Sequence, residues 1–177
     1  MAGLSQPREE DRHAWNAAGR GRRDRHQRAA ATLTQITFAV MLGAATVVVD
    51  ASSRVLLVKH NYGELNWELP GGAGEKGESA EETARREVLE EVGVELETMR
   101  LAGVYWDPPI DAHHFVFQAR VRGTPYLADP NEITEVGWFP PDALPRPISD
   151  FTLRRITDAI SGAPAGVWKI GPRVWLR

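Results

Sequence analysis

Residues 72–94 combine acidic side chains and glycines in a pattern that could do chemistry. Glu87, Glu90 and Glu91 are spaced by three and four residues, so on a helix they project from one face. Carboxylates on one face repel each other unless a cation neutralises them, and hard divalent cations such as Mg²⁺ or Mn²⁺ take oxygen ligands. The glycine-rich loop before the helix, residues 70–77, can expose backbone N–H groups to a ligand. Together these features predict hydrolysis of a phosphate anhydride.

The helix that carries these acids has clear start and stop signals. Ser79 is a good N-cap, Glu82 three residues later completes a capping box, and Gly93 favours a stop. An apolar stripe lies between them, formed by Ala84, Val88, Leu89 and Val92. Taken alone, the helix is equally compatible with a solvated, salt-bridged surface element.

The full segment resembles the signature of the Nudix hydrolases, G-x5-E-x7-R-E-U-x-E-E-x-G-U, in which U is aliphatic. All nine fixed positions are filled, by Gly72, Glu78, Arg86, Glu87, Val88, Glu90, Glu91, Gly93 and Val94. The resemblance is expected to extend from about residue 42 to about residue 162. It implies an α/β fold, the Nudix-type α/β/α sandwich with a mixed β-sheet, and a pyrophosphohydrolase that depends on Mg²⁺ or Mn²⁺.

The resemblance also implies roles for the acids. Glu87, Glu90 and Glu91 become metal ligands and catalytic residues, and Gly72 contributes a backbone carbonyl to the metal. Glu91 would bridge more than one ion or contact the attacking water. We expect these carboxylates on a solvated face, so that Glu91→Gln spares the fold.

Two further signature residues and one loop carboxylate complete the expected site. Arg86 is expected to hold a signature glutamate by a bidentate pair, and Glu78 to brace the loop against the helix. Some family members place an extra base six residues before the tryptophan of a late strand. Glu132 stands six residues before Trp138 and is the candidate for this base or for an extra metal ligand, with Glu135 as its competitor.

The rest of the chain is rich in strand signals. Strands are predicted at residues 43–50, 54–60, 101–106, 114–121 and 136–139, and a second helix at 149–161. The first two strands are predicted to form a hairpin. The chain divides into a basic N-terminal tail (1–31), a hydrolase domain (32–165) and a C-terminal tail (166–177) that could add a strand.

Composition narrows the function classes. The net charge is −3, but residues 1–28 hold seven arginines against four acids. We favour a flexible tail over a nucleic-acid contact for that segment. The absence of cysteine excludes a disulfide framework and a thiolate nucleophile. No apolar run predicts a membrane span, and a cytoplasmic location is expected.

Several aromatic and imidazole side chains are weaker candidates. His113 and His114 are adjacent, so in a strand they point to opposite faces and cannot share one metal; surface histidines are the favoured interpretation. Tyr105 and Trp106 are expected to belong either to the core or to a nucleoside pocket.

The substrate is less well determined by sequence than the reaction. In the family that the signature resembles, a proline about fifteen residues after the last signature glycine is associated with ADP-ribose and related sugar nucleotides, and Pro108 stands fifteen residues after Gly93. Nucleoside triphosphates are an equal alternative. Two other functions stay open: a nucleotide-sensing module that binds without cleaving, and an RNA 5′-end pyrophosphohydrolase that uses the arginine-rich tail. The resemblance also favours a homodimer.

Overall fold

The computed structural model of the chain describes residues 40–177. The predicted tail, residues 1–31, and the first residues of the predicted domain lie outside the described residues. The strands are β1 (Met41–Val48), β2 (Val55–His60), β3 (Trp67–Glu68), β4 (Gly71–Ala73), β5 (Glu95–Asp107), β6 (Ala112–Arg122), β7 (Ile133–Phe139), β8 (Ile148–Ser149), β9 (Gly166–Lys169) and β10 (Trp175–Leu176). The helices are α1 (Ala80–Val92) and α2 (Asp150–Ile160), and a short 3₁₀ helix spans Pro108–Ile110.

The strands form two five-stranded mixed sheets. The first has the order β4-β1-β6-β5-β9, in which β1 is parallel to β6 and β5 is parallel to β9. The second has the order β10-β8-β3-β2-β7, in which only β3 and β8 are parallel. The predicted mixed sheet is therefore divided into two.

Alternation along β1 places the two helices on opposite faces of the strands. Val48 packs in a cluster with Val88 of α1, whereas Ala45 and Val47 pack in a cluster with Phe151 of α2. Because successive side chains of a strand point to opposite faces, the strands lie between the helices. The α/β fold with helices on both sides of mixed sheets is confirmed.

The predicted hairpin of the first two strands is wrong. β1 and β2 belong to different sheets, and the pairing between their ends is one isolated bridge, Val49 to Val55. The reason is that both edges of β1 are occupied, one by β4 and the other by β6. After the turn, β2 instead pairs with β3 and β7.

The helices begin as their sequences predict. The Ser79 hydroxyl accepts the Glu82 N–H at 3.2 Å while the Glu82 carboxylate accepts the Ser79 N–H at 2.8 Å, which is the predicted capping box. Gly93 ends α1 with a left-handed φ of 67°. Ser149 is the N-cap of α2, and its hydroxyl accepts the N–H of Thr152. Among residues 40–177, no helix is long and apolar enough to cross a membrane.

Candidate active site

Helix α1 packs closely on the glycine loop at β4, and this contact forms the floor of the candidate site. A Cβ atom added to Gly72 would overlap the Glu87 carboxylate, so a larger residue there would push that carboxylate aside. Next to it, the Gly71 N–H donates to Glu91 Oε2 at 3.0 Å. Glu87 and Glu91 are each only 6% exposed. Two carboxylates one helical turn apart are thus buried against the loop.

Arg86 connects the other acids of the signature. Its Nε and Nη2 atoms donate to the two oxygens of Glu78 at 2.7 and 3.0 Å, a bidentate pair. Its Nη1 donates to Glu87 at 2.8 Å and to Glu90 at 3.0 Å, and Nη2 also reaches the Ala73 carbonyl at 3.0 Å. The guanidinium therefore links loop, strand and helix.

Glu78 is the partner that fixes Arg86, and it also braces the loop. Its carboxylate accepts the Glu75 N–H at 2.9 Å and the Thr83 hydroxyl at 3.1 Å. The hydrogen bonds from Arg86 are the main reason that the pKa of Glu78 falls to about 2. Glu78 therefore connects the glycine loop, helix α1 and Arg86.

Burial disfavours the charged forms of the two inner carboxylates, Glu87 and Glu91. It raises the pKa of Glu87 to about 7, against the opposing effect of Arg86. Burial also raises the pKa of Glu91, and the charges of Glu87 and Glu132 raise it further. The expectation of a solvated face is wrong for Glu91, because the glycine loop covers it.

Glu90 differs from the two buried acids although it lies on the same helix. Its side chain is 57% exposed, and its bond to Arg86 crosses the outer edge of the site. Within residues 40–177, no three carboxylates or imidazoles already surround one point that could hold a metal ion. Arg86 accounts for this, because it draws Glu87 and Glu90 toward its own guanidinium. Glu91 is instead turned to the Gly71 N–H.

The loop before β7 faces α1 and carries Glu132. The N–H groups of Tyr126 and Ala128 donate to the Val92 and Glu91 carbonyls, both at 3.1 Å. These bonds satisfy carbonyls at the end of α1 and fix the loop on the helix. Burial, and the charges of Asp129 and Glu90, raise the pKa of Glu132.

Glu135 points elsewhere. Its carboxylate bonds Lys59 Nζ at 2.6 Å on the surface of the second sheet. Between β2 and β7, Lys59 pairs with Glu135 and His60 pairs with Ile133, so Thr134 forms a bulge. The bulge lies between Glu132 in the loop and Glu135 in β7. The charge of Glu132 raises the pKa of both Glu87 and Glu91.

Two of the weaker candidates prove to be core residues. Tyr105 is fully buried and stacks on Trp168 with ring centroids 5.1 Å apart. His114 is also buried, 5.5 Å from the Phe151 ring, so its expected surface position is wrong. His113 is half-buried and follows the alternation of the strand.

Sequence reasoning missed a buried ion pair beside the glycine loop. Arg155, only 4% exposed, donates to Glu68 at 2.6 Å, and the Thr152 hydroxyl lies 2.9 Å from both Glu68 oxygens. Glu68 precedes Leu69-Pro70-Gly71 and so ties the glycine loop to α2. The signal was an arginine four residues after Phe151, on the apolar face of the predicted helix.

Glu78 allows a test of the arginine network through pH. Because its folded pKa lies below the unfolded value of 4.5, its stabilisation is present above pH 4.5 and is lost as the pH falls toward 2. We expect Glu78→Gln to lower the free energy of unfolding by about 2 kcal/mol at pH 7. The difference from wild type should shrink between pH 5 and pH 3 in urea titrations.

Glu81→Gln is the matched control, since Glu81 makes only an exposed pair with Arg85 on the same helix. Its effect should stay below about 0.5 kcal/mol. A loss for Glu78→Gln that is equally large at pH 7 and pH 3 would show that the carboxylate charge does not hold Arg86.

Comparison with known proteins agrees with this geometry. The NUDIX domain model matches residues 40–160. A Bacillus subtilis (strain 168) protein, provisionally named an 8-oxo-dGTP diphosphatase, is 37% identical over 68% of this chain and 80% of its own length. A MutT-like protein of Streptomyces ambofaciens is 33% identical over 69% of this chain and 78% of its own length.

Solved structures show the same fold. The crystal structure of the MutT NUDIX hydrolase from Burkholderia pseudomallei is 28% identical, with a TM-score of 0.58 over 67% of this chain and 96% of that chain. The chain therefore belongs to the Nudix hydrolase family, and it is a hydrolase that acts on pyrophosphate bonds of nucleotide-linked substrates.

Proposed function

We propose that the protein hydrolyses nucleoside triphosphates with Mg²⁺ or Mn²⁺ held by Glu87, Glu90, Glu91 and the Gly72 carbonyl. The observation that carries this proposal is the pair of buried carboxylates packed against the glycine loop. Hydrolases of this family generally need a divalent metal. The identity of the ion as Mg²⁺ or Mn²⁺ and the set of ligands are part of what we propose.

The charge balance of the site supports a cation. Arg86 is one positive charge that serves three carboxylates, Glu78, Glu87 and Glu90. Glu91 has only the neutral Gly71 N–H as a hydrogen-bond donor among the described residues. Buried charges of one sign are costly unless they are paired or bind a metal. Carboxylate and carbonyl oxygens are the ligands that Mg²⁺ and Mn²⁺ prefer.

The bound ion and the side chains around it would have separate roles in the reaction. A bound ion would neutralise phosphate charge and lower the pKa of the attacking water. Glu132 faces the helix from the opposite loop and would accept the proton of that water on its carboxylate. Its raised pKa makes it a better base than an ordinary surface glutamate. Arg86 and Glu78 hold α1 and the loop at a fixed distance.

The substrate class is supported by the relatives rather than by the site alone. A 37% identical relative carries the name of a nucleoside-triphosphate diphosphatase. The ADP-ribose signal, Pro108, lies in the 3₁₀ helix after β5 and remains a weak indication. The intact signature favours hydrolysis over nucleotide sensing. The cytoplasmic location, the homodimer, the domain limits and any role of the tail in RNA binding stay predictions.

Glu91→Gln tests the metal site by two readouts. Glutamine keeps the shape and an acceptor for the Gly71 N–H but removes a buried charge, so the melting temperature without metal should equal or exceed that of wild type. The rise in melting temperature on adding Mg²⁺ should shrink. Turnover of the best substrate should fall by about 100-fold or more.

The substrate panel holds nucleoside triphosphates, including oxidised ones, ADP-ribose, a dinucleoside polyphosphate and a 5′-triphosphorylated RNA, each with Mg²⁺ and with Mn²⁺. Glu81→Gln is the control and should match wild type. Preferred cleavage of ADP-ribose would replace the triphosphate proposal. Full turnover by Glu91→Gln would contradict the metal site.

Paired variants can show whether Glu132 or Glu135 is the base. We expect Glu132→Gln to lower kcat by about 100-fold, because the variant loses the proton acceptor. Glu135→Gln should leave kcat within about twofold of wild type, since it breaks only a surface pair with Lys59. Steady-state kinetics on the best substrate measures both. The opposite result would move the base to Glu135.

A further inference from the structure

Tyr62 lies in the loop between β2 and β3, next to the segment that carries Glu132. The Asn61 N–H donates to the Glu132 carbonyl at 2.9 Å, and the Asn61 side chain donates to the Asn131 carbonyl. These bonds fix the loop to the segment that carries Glu132. Tyr62 is half-buried there. The phenol is therefore held on the same side of the molecule as the proposed base.

The ring of Tyr62 is held by stacking rather than by hydrogen bonds. It lies 4.6 Å from the His60 ring, centroid to centroid, at an interplanar angle of 12°. His60 Nε2 is buried and has no hydrogen-bond partner within residues 40–177. The Tyr62 hydroxyl likewise makes no hydrogen bond to the described part of the chain. Unlike His60 Nε2, the Tyr62 hydroxyl is not fully buried, so it is available to donate to a ligand or to water.

The phenol lies within electrostatic reach of the acids of the site. Burial raises the pKa of Tyr62 well above its ordinary value, and the charges of Glu132, Glu91, Glu68 and Glu87 raise it further. The hydroxyl therefore stays protonated across the physiological range and can act only as a neutral donor toward an anion. No carboxylate of the described residues accepts this donor.

We propose that Tyr62 is a substrate-binding residue whose hydroxyl donates a hydrogen bond to a non-bridging phosphate oxygen of the nucleotide, with His60 supporting the ring. The proposal rests on the proposed function, because two of the acids whose charges act on Tyr62, Glu87 and Glu91, are proposed metal ligands and a third, Glu132, is the proposed base. Phosphate oxygens are the acceptors that a metal ion would bring to this place.

A phenol is suited to this position because it is neutral. A lysine or arginine among these acids would form ion pairs with them and would compete with the metal ion for the carboxylates. A hydroxyl donates to phosphate without that competition. Stacking on His60 also restricts the ring before the substrate arrives, which lowers the entropy lost on binding.

Tyr62→Phe tests the hydroxyl alone. We expect kcat/KM for the best nucleotide to fall about tenfold or more, mainly through KM, since a hydrogen bond to a charged group is lost. Binding of a methylene-bridged nucleoside triphosphate in the presence of Mg²⁺, measured by calorimetry, should weaken by a similar factor. Tyr126→Phe is the matched control, because it removes the same atom from an exposed side chain and keeps the backbone N–H that fixes the loop of Glu132 on α1; it should stay within about twofold of wild type.

Tyr62→Leu separates the hydroxyl from the ring. A larger loss for Tyr62→Leu than for Tyr62→Phe, with unchanged circular dichroism and melting temperature, would support the stacked ring as part of the binding surface. If Tyr62→Phe binds the analogue and turns over substrate as wild type does, Tyr62 does not touch phosphate.

The two proposals fail in different ways. Wild-type protein that cleaves a nucleotide while Tyr62→Phe is unaffected would overturn only the role of Tyr62. Wild-type protein that binds the analogue but cleaves nothing would overturn the hydrolytic function, and the affinity of Tyr62→Phe would still decide the role of the hydroxyl. Wild-type protein that neither binds nor cleaves would overturn both.

Discussion

The close contact of α1 with the glycine loop is the constraint on which the rest of the site depends. Gly72 has no side chain, and the space that a Cβ would fill is taken by the Glu87 carboxylate. β4, which carries Gly72, is held in register by β1, with Ala44 opposite Gly72. β1 is itself fixed between β4 and β6. The first sheet therefore sets how near the helical acids come to the backbone.

This contact buries negative charge that the protein neutralises only in part. Burial disfavours the charged forms of Glu87 and Glu91, and a single guanidinium, that of Arg86, bonds Glu87. Glu78 in turn fixes Arg86 from the loop. The structure holds the acids in place without neutralising them all, which is the condition under which a divalent cation binds strongly and orders a substrate phosphate.

The sequence predicted the local features well because they depend on near neighbours. The capping box of Ser79 and Glu82 and the left-handed stop at Gly93 follow from spacing within the signature. The division into two sheets was not predictable in the same way. Which strand lies beside β1 is decided by pairing with β6, about seventy residues later along the chain.

The missed site residues have the same explanation. Glu68 and Arg155 lie far apart in sequence, and only the tertiary fold places α2 next to β3. Tyr62 follows no motif, and its position depends on the bonds of Asn61 to the loop of Glu132. The burial of Glu91 could not be predicted from the sequence either, since a helical pattern shows which residues share a face but not what covers that face.

Anomalous diffraction from a crystal grown with Mn²⁺ would test the metal site most directly. We expect an anomalous peak within coordination distance of the Glu91 carboxylate, with Glu87 turned toward the same ion and away from Arg86. A peak at another place, with Glu87 still bonded to Arg86 and Glu91 still bonded to the Gly71 N–H, would contradict the assignment of the buried carboxylates as metal ligands.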